Sequence, residues 1–380
     1  MRARTSTRPL GVLPLALVAA VLAGPVAHHQ DTRLVIVTGG GDAARAVQQA
    51  GGTLLRRLPL VHGVVARLDG QLAGFTVTPD RALSVSGRTG PATGPITARD
   101  ALGLGAPAGQ GAGVTVAVVD TGVADVAELA GRVRHVDVTG DGTGDGFGHG
   151  TFVAALVAGK TLGVAPGASV LDVRVGHDDG STSLVDVMAG LQAVAEDPSV
   201  SVVNLSMSTD GDVPPLTEAL DALWAMGDTV VVPAGNTGPD KGTVTSPGSD
   251  PTLLTAGALD GKAVADWSGR GGQGMVKPDL VAPGAHLLSA AVPGSVIWQQ
   301  HPDARNGAAA FVGSGTSFST ALVSGAAAVL VAQRPQLSPY QVKALVMRSA
   351  SNVGGSRTAT GAGGLNLGAA LAHKTPHGQS

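Results

Sequence analysis

Four short runs rich in β-branched and apolar residues, Val114–Val119, Val170–Val175, Val200–Leu205 and Thr229–Val232, constrain the fold most tightly. They are mostly apolar, as strands covered on both faces in a parallel sheet should be. Between them, Thr151–Gly159, Leu184–Glu196 and Leu216–Met226 have helical character. Strand and helix in turn predict a doubly wound α/β unit, with a mostly parallel sheet and helices on both faces. In such a fold, ligands bind beyond the carboxyl ends of the strands. Only nine of the 380 residues are aromatic, so the core must come from Val, Leu and Ala, and a base-stacking surface is excluded. A net charge of -3 also argues against a nucleic-acid partner. With no cysteine there is no disulfide, no thiolate metal site and no thiol nucleophile.

Upstream of this unit the chain changes character twice. Arg2, Arg4 and Arg8 precede an uncharged, largely apolar run from Leu10 to Ala27, the layout of a secretory signal peptide over residues 1–27. Export follows, with an uncleaved signal anchor as the alternative; after signal cleavage no membrane contact is expected. Residues 31–95 read as a small α+β domain: strand Leu34–Val37, helix Asp42–Ala50, strands Thr53–Leu58 and Val61–Leu68, a short helix, and strand Ala82–Val85. This segment carries seven Arg against four Asp, whereas residues from 96 onward carry a net -9. Opposite charge on adjacent units favours docking. Residues 96–370 then form the larger domain with its N-terminal linker, and 371–380 a tail.

The reactive residues fall where the fold predicts. Asp120 ends the first strand and is followed by Thr121-Gly122; His149 lies between Gly148 and Gly150 at the start of an apolar helix. Asn236 follows the strand at Thr229–Val232, and Ser317 opens a helix that continues through the apolar Ala326–Ala332. Taken singly, each suits a cap or turn. Together they are the parts of nucleophilic acyl transfer: a serine, an imidazole to take its proton, a carboxylate to orient the imidazole, and the Asn236 amide and Ser317 N–H to receive the oxyanion. No cofactor is required for this chemistry. The chain order Asp, His, Ser differs from the Ser, Asp, His order of α/β-hydrolases. Asp137, Asp141 and Asp145 stand four apart in a glycine-rich loop before His149, where oxygen ligands could hold a structural calcium.

These segments resemble the subtilisin-like serine proteases. Ala117–Gly122 is similar to the family's aspartate segment, Gly148–Ala158 to its histidine segment, Gly235-Asn236 to its oxyanion asparagine, and Gly315-Thr-Ser317 to its nucleophile segment. The resemblance implies a subtilisin-like fold and a secreted, monomeric serine endopeptidase acting on proteins or peptides. It also implies that residues 31–95 are a propeptide, an intramolecular inhibitor removed by a cut between about Gly87 and Gly111. Ser206, Met207, Ser208, Ala234, Gly235 and Thr245 match substrate-binding positions. Ser208 and Thr245 stand where the family often has smaller residues, which implies a shallow pocket preferring small or medium apolar residues before the cut. Phe152, Ala155 and Ala321-Leu322 also depart from the family pattern. The rival function is a catalytically silent relative that only binds peptides along a cleft.

Overall fold

The computed structural model describes residues 32–85, 87–89, 94–105, 109–272 and 274–376; the expected signal segment lies outside them. The N-terminal unit comprises β1 (Arg33–Thr38), α1 (Ala43–Gln49), β2 (Thr53–Leu58), β3 (Gly63–Leu68) and β4 (Thr76–Pro79), in an antiparallel sheet of order β2-β3-β1-β4. The Asp42 carboxylate caps α1 by accepting from Arg45 N at 3.1 Å. Alternation in β1 then sorts the side chains. Val35 and Val37 pack with Val47, Val64 and Leu68 in a core of their own, whereas Ile36 joins Leu58, Val61 and Val65 in the main core.

Two expectations for this unit are corrected. The short helix after β3 is absent and β4 takes its place in the sequence, because Thr76-Val-Thr-Pro alternates as an edge strand should. Ala82–Val85 leaves the unit altogether and pairs with the larger domain. No ion pair between the two units occurs among the described residues. Apolar burial and backbone bonds hold the units together.

The chain continues through β5 (Ser84–Val85), β6 (Arg88–Thr89), β7 (Ile96–Thr97) and α2 (Ala98–Ala101) into the larger domain. There follow β8 (Thr115–Asp120), β9 (Val133–Asp137), α3 (His149–Ala158), β10 (Ser169–Arg174), α4 (Leu184–Ala195), β11 (Val200–Leu205), β12 (Met207–Ser208), α5 (Pro214–Met226) and β13 (Thr229–Pro233). The remainder is β14 (Leu254–Asp260), β15 (Ala263–Val264), β16 (Leu280–Pro283), β17 (Leu287–Ala290), α6 (Val296–Gln300), β18 (Arg305–Asn306), β19 (Ala310–Ser314), α7 (Thr316–Gln333), α8 (Pro339–Arg348), α9 (Arg357–Thr360) and α10 (Leu367–Ala372). The central sheet runs β15-β14-β13-β11-β8-β10-β9, with β16 also on β14, and every pair except β14–β15 is parallel. Helices cover both faces: α3 packs with α7, and α4 with α5. The α7 helix is apolar all round and buried from Thr316 to Val331, the pattern of a central core helix. α10 extends past residue 370, and Pro376 O accepts from Gln341 Nε2 at 3.2 Å, so the tail's first residues lie on the domain.

Asp228, between α5 and β13, is half-buried, and burial pushes its carboxyl up to about 7. A raised folded value means the folded chain keeps a proton that the unfolded chain has released. This group's contribution to stability therefore falls as pH rises from about 4 to about 7. Asp228→Asn should leave Tm unchanged at pH 4 and raise it by about 2 °C at pH 8. Equal shifts at both pH values in a calorimetric scan would contradict this.

Candidate active site

Asp120 ends the central strand β8 and is fully buried; its Oδ1 accepts from Thr121 N at 2.8 Å and lies 2.7 Å from His149 Nδ1. His149 is the first residue of α3 and is 2 % exposed. The two elements approach so closely that a Cβ on Gly150 would stand 2.2 Å from Gly122 O, and only glycine allows the helix to start there. A buried carboxylate locks the arrangement. Asp145 accepts from Thr121 Oγ1 and Gly148 N on one oxygen, and from Thr151 N and Thr151 Oγ1 on the other, all within 2.9 Å. Gly150 N donates to Thr121 Oγ1 at 3.0 Å, so strand end and helix start share one network. Burial raises the Asp145 pKa, while these hydrogen bonds oppose the rise.

Ser317 lies in the first turn of α7 and is fully buried. Its Oγ donates to Ser206 O at 3.1 Å, and Ser206 Oγ donates back to Ser317 O at 3.2 Å. Asn204 Nδ2 donates to Ser206 Oγ, and Ser324 Oγ to Asn204 Oδ1, so a buried chain of hydrogen bonds ties β11 to α7. The ring of Phe318, next to Ser317, lies 5.6 Å from that of His149. His149 Nε2 has no partner among the described residues, so the hydroxyl here rests on a carbonyl and not on the imidazole. Asn236, just past β13, accepts from Thr316 N at 3.0 Å and Thr316 Oγ1 at 2.9 Å, both through Oδ1. The two bonds fix the orientation of its amide beside the start of α7.

The chain's own residues 84–85 and 87–89 lie in this region. β5 pairs antiparallel with β12, placing Ser84 opposite Ser208 and Val85 opposite Met207. β6 pairs antiparallel with β19, placing Thr89 opposite Gly313. Between them Gly87 abuts the imidazole: a Cβ there would stand 2.8 Å from His149 Cδ2 and 3.0 Å from Nε2. Leu83, whose N–H donates to Thr182 O, is 3 % exposed in the main core. Of the substrate-position candidates, Ser208 meets this segment, Met207 turns its side chain into the core, and Ala234 is buried. Gly235, at φ 90°, lies over Thr245, whose Oγ1 would be 2.4 Å from a Cβ there. Ser206 serves the Ser317 network instead.

The three loop aspartates do not form a cation cage. Asp137 accepts from Thr139 N, Thr139 Oγ1, Gly140 N and Gly142 N; Asp141 bonds His177 and Arg174; Asp145 is committed to the network above. Among the described residues no group of three His, Asp or Glu side chains could hold a metal ion. The donor set therefore does not fit the expected calcium.

Asn204, Thr121 and Thr151 escaped the sequence reading, although a polar Asn within an apolar buried strand was a visible signal. Asp145, expected as a metal ligand, here joins the strand end to the helix start.

A strand-end carboxylate is thus bonded to a helix-start imidazole, and a buried serine heads a second helix. The subtilase family model matches residues 111–363, and the chain belongs to that family. It is 37 % identical over 269 residues to the serine protease AprX of Bacillus subtilis, covering 62 % of this chain and 61 % of AprX. It is 32 % identical over 266 residues to subtilisin Savinase of Lederbergia lenta, covering 68 % of this chain and 91 % of that protein. Fervidolysin from Fervidobacterium pennivorans, a keratinolytic enzyme related to subtilisin, superposes with a TM-score of 0.75 at 26 % identity, covering 91 % of this chain and 61 % of fervidolysin. The chain thus spans about three fifths of AprX and of fervidolysin.

Proposed function

We propose that the chain is an exported serine endopeptidase, made as a self-inhibited zymogen, that cuts peptide bonds through an acyl-enzyme. The observation that supports this best is the buried 2.7 Å Asp120–His149 bond with the chain's own Gly87 against the ring. In the reaction Ser317 Oγ leaves Ser206 O, gives its proton to His149 Nε2 and bonds to the substrate carbonyl carbon. Asp120 holds the Nδ1 proton and stabilises the imidazolium. The oxyanion is received by the Asn236 amide and the Ser317 N–H. His149 then passes its proton to the leaving amine as the C–N bond breaks, and water repeats the sequence on the acyl-enzyme.

Ser84 and Val85 pair with β12 as a substrate strand would, and Gly87 abuts the His149 ring, which supports a first cut between Ser86 and Gly87. In this reading the propeptide ends before Gly87, short of the boundary expected at residue 95. The silent, peptide-binding alternative draws on one observation, the Ser317 hydroxyl resting on Ser206 O. N-terminal sequencing of purified protein separates the two. The endopeptidase yields a chain beginning at Gly87; a folded wild type that stays uncut there contradicts it. Export rests on the basic and apolar N-terminal run.

The hollow for the residue before the cut is bounded by Ser208, Asn236 and Thr245. Thr245 beneath Gly235 keeps it shallow. In a peptide panel, cleavage after Ala should exceed cleavage after Phe by about tenfold in kcat/KM. Equal rates would remove this assignment.

A further inference from the structure

A cavity of about 230 Å³ opens beside His149, between α3, β17, β19 and α6. Phe147, Phe152, Phe311, Phe318 and Trp298 line it, five of the nine aromatic residues in the whole chain. Elsewhere the core is packed with Val, Leu and Ala, so this concentration of rings is local. A Cβ on Gly313 would stand 2.7 Å from Phe318 Cε2 and 3.2 Å from Phe152 Cζ, so the missing side chain keeps the hollow open.

The walls are preformed. The Phe152 and Phe318 rings lie 4.4 Å apart. Val296 N donates to Gly146 O at 2.9 Å and Ile297 N to Phe147 O at 3.1 Å, fastening α6 to the loop before His149. Arg305 donates from Nε and Nη2 to Trp298 O at 3.0 and 2.6 Å, and its guanidinium carbon sits 4.7 Å from the Trp298 ring centroid. Trp298 is therefore held in place and does not drift into the cavity.

Which part of a bound peptide meets this cavity follows from the direction of the chain's own segment. Residues 84–85 lie on β12 before His149, and residues 88–89 lie on β19 after it, opposite Gly313 and Ser314. Gly87 is at the mouth, and a Cβ on it would point at His149 and Phe318, both cavity walls. We propose that the cavity is a specificity pocket for the first residue on the leaving side of the cut bond, and that it takes a large apolar side chain such as Leu, Met or Phe. The proposal rests on the endopeptidase reading and extends it to the leaving peptide. Among the described residues no ionisable side chain apart from His149 and His301 lines the cavity, so an Asp, Glu, Lys or Arg would lose its hydration there without gaining an ion partner from them. Its volume suits one large side chain and is below that of pockets for drug-sized ligands. Gly87 leaves the pocket unfilled. A residue with a Cβ must sit a few tenths of an ångström further from the ring than Gly87 does.

The test uses the processed protein and blocked peptides that share the residues before the cut and carry Gly, Ala, Asp, Lys, Leu or Phe after it. Leu and Phe should exceed Gly and Asp by about 10- to 100-fold in kcat/KM. Leucine amide should likewise capture the acyl-enzyme in preference to glycine amide. Ala291→Phe, which fills the cavity from the β17 side, should bring the Leu/Gly ratio near one. Trp298→Ala, which removes a wall without adding bulk, should lower the same ratio. Robust cleavage with equal rates for Leu and Gly would overturn the pocket and leave the endopeptidase reading intact, as would an unchanged ratio in both variants. Failure of the processed, folded protein to cut any peptide would overturn the endopeptidase reading and the pocket with it.

Discussion

A chain carrying Ser317→Ala is expected to fold, to remain joined at Ser86–Gly87, and to lose about 10⁶-fold in turnover, the size of loss found in subtilisin. Folding should survive because alanine fills most of the serine's space in the fully buried first turn of α7. The hydrogen bond lost is the 3.1 Å donation to Ser206 O, and Ser206 keeps its bonds to Asn204 and to Ser317 O. Losing one ordinary hydrogen bond removes about 1 kcal/mol of stability. A collapse in activity with a near-native melting curve would thus be chemical in origin. Intact mass and calorimetry on the same sample measure both quantities, and residual cutting near the wild-type rate would contradict the assignment.

The second large effect is at Asn236. Its Oδ1 is held by Thr316 N and Thr316 Oγ1, so Asn236→Asp retains both acceptor bonds while it replaces the amide donor with a carboxylate charge that opposes the oxyanion. Asn236→Leu removes all three. Both variants should lose roughly 10²- to 10³-fold in kcat, with KM little changed, because the donor acts on charge that develops only in the transition state. A loss seen in Asn236→Leu and spared in Asn236→Asp would assign the residue to holding Thr316 and not to the oxyanion. Steady-state kinetics on the processed variants distinguish these outcomes.

The fold was legible in the sequence wherever an element is buried on both faces. The runs at Val114, Val170, Val200 and Thr229 became β8, β10, β11 and β13 with shifts of one residue or none at each end. Burial on two faces forces continuous apolar residues, and that pattern needs no partner to be recognised. Elements whose partners are distant were not legible. Ala82–Val85 looked like a strand of its own domain, yet its partners, Ser183 and Met207–Ser208, lie about a hundred or more residues further along. The sequence carries no local mark of that pairing.

The candidate site divides in the same way. Asp120, His149, Asn236 and Ser317 stand at strand ends or helix starts with glycine nearby, which is a local signature. Asp145 shares its Asp-Gly setting with Asp137 and Asp141, and the sequence could not say which carboxylate would turn inward to bind Thr121 and Thr151. The aromatic cavity was equally hidden, because its five rings are dispersed from residue 147 to 318 and each resembles an ordinary core residue. The pose of Ser317 was beyond reach of any sequence pattern, since the rotamer a hydroxyl adopts depends on its folded surroundings.

Reaction of the processed protein with a serine-directed phosphonate, followed by peptide mass mapping, tests most directly whether His149 activates Ser317. The expected result is stoichiometric labelling at Ser317, absent in Ser317→Ala and reduced by orders of magnitude in a folded His149→Ala chain. A folded, processed wild type that takes no label, or takes it at another serine, would contradict the account.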